Sequence, residues 1–141
     1  MINNLINLVK EHACDAIINN SAIPNEKNNE AISSTANSIF DTLKNQAIGG
    51  NLNNVIGMFN NSSTNLNSTI SNNVVTDLMQ KFNLDNTQAN QIAGSLIPKV
   101  LDNLVKKTND SNDNSFDLQD ILKNIGGSNS GIGGLLGNLF K

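Results

Sequence analysis

Between Leu84 and Lys107 the apolar residues recur at intervals of three and four: Ala89, Ile92, Ala93, Leu96, Ile97, Val100, Leu101, Leu104 and Val105. A period near 3.6 puts all nine on one broad face of an α-helix, and a strand, with its period of two, would scatter them over both faces. Asp85 stands where an N-cap is needed, with Gln88 three residues on to complete a capping box and Leu84 placed to staple onto Ala89. The segment therefore predicts a helix from Asp85 to about Lys107, long and apolar enough for the other helices to pack around it.

Proline stands inside this helix. Pro98 supplies no N–H, and its ring meets the carbonyl of the residue four back, which is Gly94. Pro98 lies roughly 100° from Ile97 on a helical wheel, off the apolar stripe, so the ring points away from the core. The pair reads as a bend in a core helix near Gly94–Pro98, because proline is the commonest cause of a sharp kink and glycine tolerates the shift.

The rest of the chain repeats the pattern. A first helix over 2–18 carries Ile2, Leu5, Ile6, Val9, Ala13, Ala16 and Ile17 on one stripe, and 19–24 breaks it. A second, over 25–47, carries Ile32, Ala36, Ile39, Phe40, Leu43 and Ala47, with Glu26 and Glu30 in its first turns, where acids suit the helix dipole. It stops at Ile48-Gly49-Gly50, where glycine can take the left-handed conformation that closes a helix. Leu52, Val55, Ile56 and Phe59 predict a short third helix, NNSSTNLNS (60–68) a loop, and Ile70, Val74, Val75, Leu78, Met79 and Phe82 a fourth helix over 69–82. Asp117 can cap a sixth, with Leu118, Ile121, Leu122 and Ile125 on its face. No segment alternates as a strand does, so the expected class is all-α: a compact multihelical bundle of about six helices in one domain, 1–127, followed by a Gly-rich tail, 128–141.

Composition excludes several functions. The chain of 141 residues has a net charge of −3, no Arg, no Trp and no Tyr. A nucleic-acid surface needs clustered basic residues, often with stacking aromatics, so that class is set aside. Asparagine supplies about a fifth of the chain, and lysine is used wherever arginine would be an alternative. Both are read as the bias of an AT-rich genome. No apolar run approaches the roughly 20 residues of a membrane span, and the N-terminus is too interrupted for a signal peptide. The expected compartment is cytoplasmic, with non-classical export left open.

The chemistry-bearing residues are few. Asp110, Asn112 and Asn114 match the first ligand positions of a calcium loop, but Ser115 replaces its glycine and Ile121 its bidentate glutamate. The stretch is read as a polar connector. His12 and Cys14, each the only residue of its kind, sit about 200° apart on a helix and cannot act as a nucleophile–base pair. Cys14 is read as a small hydrophobe beside Ile18. No three or four His or Cys gather as a metal site requires, and no glycine loop with Lys-Ser/Thr cradles a phosphate. The chain is expected not to be an enzyme and to use no cofactor. There is a weak internal echo, SIFDTLKNQAIGG (38–50) against SFDLQDILKNIGG (115–127), which common helix-stop chemistry explains.

The order NLINLVK, IFDTLKNQ with Gly-Gly after it, and LMQKFNLDNTQANQIAGSLIPKVL resembles the bacterial YidB-like family of unknown function, over roughly 1–127 and most specifically over Phe82–Leu101. The resemblance implies an all-helical fold and a bacterial source; it implies no activity and brings no site residues. Asn83 stands where that family often has Gly at the turn.

The tail holds the remaining signal. Ile132, Leu135, Leu136, Leu139 and Phe140 recur at helical spacing behind a Gly- and Ser-rich connector. A helix this short is marginal in water and needs a surface to bury against. It folds back on its own bundle or docks on another copy. Only 15% of residues are charged, so little like-charge repulsion opposes association. The expected role is a non-enzymatic structural or interaction protein, self-associating as an oligomer or filament through helical faces and the C-terminal tail, with no identified small-molecule partner. The alternative is a binder of a small apolar ligand in the bundle interior.

Overall fold

In the computed structural model the described residues are 2–61 and 66–110, and they are helical throughout, with turns between. Five α-helices follow in order: α1 (Ile2–His12), α2 (Asn28–Gln46), α3 (Leu52–Asn61), α4 (Leu66–Phe82) and α5 (Asn86–Asn109). Among the described residues there is no strand. The all-α multihelical fold read from the periodicity is the fold observed. The sixth segment and the tail lie outside the described residues.

The predicted first helix is divided. α1 ends at His12, and a π-helical turn, Cys14–Ile18, follows Ala13. Ala13, Ala16 and Ile17 stay buried, so the stripe continues across the break. Cys14, expected to pack as a small hydrophobe, is exposed, because the wider turn re-aims the residues after Ala13. Asn20 then closes the chain reversal: its Nδ2 donates to the Ala16 carbonyl at 3.1 Å and its Oδ1 accepts from Ala22 N at 2.9 Å. Ile23, inside the predicted break, is buried.

The predicted loop at 60–68 is too long. α3 runs to Asn61 and α4 begins at Leu66, which is buried. One apolar residue among polar neighbours was too weak a periodic signal to extend the helix back from Ile70.

α2 and α5 share the central place that periodicity assigned to the fifth helix alone. Each packs against α1, α3 and α4, and α4 is held between them. Leu5, Ile17, Ile39, Leu43, Met58, Phe59, Ile70, Leu78, Ile92 and Leu96 are fully buried, so all five helices contribute to one core. α5 passes through Pro98 without interruption, with Gly94 and Pro98 on its exposed side. Its start is the predicted capping box: Gln88 N donates to Asp85 Oδ1 at 2.7 Å, and Asp85 N to Gln88 Oε1 at 3.1 Å. Its end is tied to α3 by Asn109 Nδ2, which donates to the Phe59 carbonyl at 2.8 Å.

Candidate polar cleft between α2 and α4

Alongside its apolar stripe α2 buries a second line of residues, Thr35, Ser38 and Thr42, at spacings of three and four. Hydroxyl groups in a helix interior are tolerated when they bond back to the preceding turn. Thr35 Oγ1 donates to the Ala31 carbonyl at 2.8 Å, and Thr42 Oγ1 to the Ser38 carbonyl at 2.7 Å. The line faces α4, and there the apolar contact between the two helices opens into a cleft of about 300 Å³.

Every residue lining the cleft is polar: Ser38, Asp41, Thr42 and Asn45 from α2, Asn73, Thr76 and Asp77 from α4. On both helices the residues fall at spacings of one, three and four, which is one helical face. Asn73 Nδ2 crosses the cleft to donate to Thr42 Oγ1 at 2.9 Å. Thr76 Oγ1 donates to the Asn72 carbonyl of its own helix at 3.0 Å. The hydroxyl protons of Thr42 and Thr76 are thus used within their helices, and what they turn to the cleft is oxygen lone pairs. Two carboxylates add more acceptors, and the lining has no Lys or His. Chemically the cleft suits a hydrogen-bond donor, above all a charged one, and offers no base of the imidazole kind.

A second cleft, about 250 Å³, lies between the start of α4 and the middle of α5. Asn67, Ser68 and Ser71 form one side, and Ile97, Pro98, Leu101 and Asp102 the other. The Pro98 ring expected to point away from the core is part of this surface.

The five residues expected to carry self-association, Ile132, Leu135, Leu136, Leu139 and Phe140, lie outside the described residues, as does the calcium-like run beyond Asp110. His12 is half-buried at the end of α1 and is not among the residues that line the cleft. Among the described residues no group of three His, Cys, Asp or Glu could hold a metal ion, and no helix is long and apolar enough to cross a membrane. Sequence reading missed Ser38, Thr42 and Asn73. The signal available was the hydroxyl line at 35, 38 and 42, which keeps the same spacing as the apolar stripe beside it.

No family model matches the chain, and no curated protein or solved structure matches it.

Proposed function

We propose that this is a non-enzymatic interaction protein that self-associates through the apolar segment Ile132, Leu135, Leu136, Leu139 and Phe140. The observation that carries the reading is a mismatch of surfaces. Among the residues whose side-chain burial is described, Ile48, 47% exposed, is the one large hydrophobic side chain left in solvent. The tail concentrates five apolar residues within nine positions, at helical spacing. A short amphipathic helix gains its stability from burying that face, and a polar bundle surface offers it little. The matching face of a second copy offers the same residues in the same spacing. The membership suggested by Phe82–Leu101, in the YidB-like family, belongs to this proposal and brings no activity with it.

Truncation after Gly127 tests the reading. Light scattering of the full chain over a concentration series is expected to show mass above the monomer, and the shortened chain is expected to remain monomeric. Equal masses for the two proteins would refute the assignment of self-association to the tail.

A further inference from the structure

The cleft between α2 and α4 contains an unused hydrogen-bonding group at its floor. Ser38 is only 4% exposed, yet it lines the cleft, and among the described residues its hydroxyl has no hydrogen-bond partner. The hydroxyl oxygen is not fully enclosed: it opens onto the cleft, where a ligand can take the place of water as its partner. Around it stand the Asp41 and Asp77 carboxylates and the acceptor oxygens of Thr42 and Thr76. Neither carboxylate forms an ion pair among the described residues; Lys44 and Lys81, one turn further along each helix, do not reach them.

We infer that this cleft binds a primary alkylammonium group. An ammonium carries three N–H donors and no acceptor, which suits the two carboxylates and the hydroxyl lone pairs. The Asn45 and Asn73 amides beside them bring acceptor oxygens as well as N–H donors, and Asn73 already spends one donor on Thr42. The Asp41 and Asp77 carboxylates supply the charge, and the Ser38 hydroxyl oxygen accepts the innermost hydrogen bond. A divalent metal fits less well, since two carboxylates are fewer than such an ion ordinarily gathers within one protein site. The ammonium has two possible sources, a free small amine or a lysine of a second copy of the chain.

The test is a titration of the full chain with 1,4-diaminobutane at low salt, followed by the amide NMR signals of Ser38, Thr42, Asn73 and Asp77. Saturable shifts confined to these residues are expected, with none from 1,4-butanediol, which has the same length and no charge. Asp77→Asn is expected to weaken binding roughly tenfold, the loss of one charge-assisted hydrogen bond. Ser38→Ala, which leaves the helix intact, is expected to weaken it severalfold. If the same signals move on raising the protein concentration without amine, and Asp41→Asn with Asp77→Asn abolishes that movement, the ammonium is a neighbour's lysine. Shifts matched by sodium chloride at equal ionic strength, or binding unchanged in both Asp77→Asn and Ser38→Ala, would overturn the inference.

Discussion

Asn73 Nδ2 donates to Thr42 Oγ1 at 2.9 Å, joining α4 to α2 across 31 positions of sequence. The same oxygen donates its own proton to the Ser38 carbonyl at 2.7 Å, so one buried atom serves two bonds. The two helices also pack through buried apolar residues, Ile39 and Leu43 on α2 and Val74 and Leu78 on α4 among them, and such packing is non-directional and tolerates sliding. A slip of one helical turn would carry Asn73 about 5.4 Å from its partner. The pair therefore fixes the axial register of the two helices, and with it the alignment of the acceptor groups in the cleft.

Thr42→Val keeps the shape and removes the oxygen. It is expected to cost about 1 kcal/mol, the ordinary net value of a hydrogen bond, moderated because Asn73 reaches solvent and can bond water. Asn73→Ala is expected to cost a similar amount, and the double variant less than the two together. Urea denaturation of all four proteins measures the coupling. Strict additivity would show that the bond contributes nothing to stability.

The turn before α5 gives a second prediction. Asn83 has φ of 56°, the one positive φ among non-glycine residues described. Asparagine adopts this conformation more readily than most residues, and alanine does not. Asn83→Ala is expected to lose about 1 kcal/mol, whereas Asn83→Gly is expected to match or exceed the native stability. Asp85→Ala, which removes the N-cap, is expected to lose about 1 kcal/mol by itself. Thermal denaturation ranks the three. Equal stability of the Ala and Gly variants at position 83 would contradict the left-handed turn.

These residues also show what was legible in the sequence. The capping box at Asp85 and Gln88, the closing glycine at Gly50 and the outward Pro98 follow from local rules, because each is decided by groups within four residues. The apolar stripes were legible for the same reason, since burial imposes a period. The hydroxyl line at 35, 38 and 42 was legible as a spacing, but the cleft it borders was not. Its four positions on α2 and three on α4 are individually ordinary helix-surface residues, and only the packing of α2 on α4 gathers them. Ser38 and Thr42 differ from surface hydroxyls solely in being buried, at 4% and 3% exposure, and that depends on where α4 lies.

Gly49 and Gly50 are neighbours with different roles. Gly50 has φ of 91° in the turn Ala47–Asn51 that separates α2 from α3, and Gly49 has no positive φ. A Cβ at either position would meet nothing within 4 Å, so sterics with neighbouring residues do not decide the outcome. Backbone conformation does. Gly50→Ala is expected to cost about 1–2 kcal/mol, and Gly49→Ala to be neutral or to gain up to about 1 kcal/mol from the reduced entropy of the unfolded chain. Chemical denaturation of the two single variants decides it; reversal of their order would mean that Gly49 carries the turn.

Gly94 and Pro98 allow a sharper separation of causes. Pro98 has no N–H, so the Gly94 carbonyl loses the partner that an unbroken helix would give it. Both residues are exposed, and water can take up that carbonyl. The space at Gly94 is open: a Cβ there would meet no heavy atom within 4 Å, and its φ is not positive. Tolerance of the proline ring therefore does not require the absence of a side chain at 94. Gly94→Ala is expected to stabilise the protein by about 0.5–1 kcal/mol, the usual gain of alanine over glycine within a helix. Pro98→Ala restores the hydrogen bond and removes the ring contact, worth about 3 kcal/mol together. Against this stands the entropy that alanine returns to the unfolded chain, about 1 kcal/mol. A net gain of up to about 2 kcal/mol is expected, and residual dipolar couplings of the two proteins measure any change in the axis of α5. A loss greater than 1 kcal/mol in Pro98→Ala would instead show that the core contacts of Leu96, Ile97, Val100 and Leu101 depend on the backbone path that proline imposes where α5 packs on α1, α3 and α4.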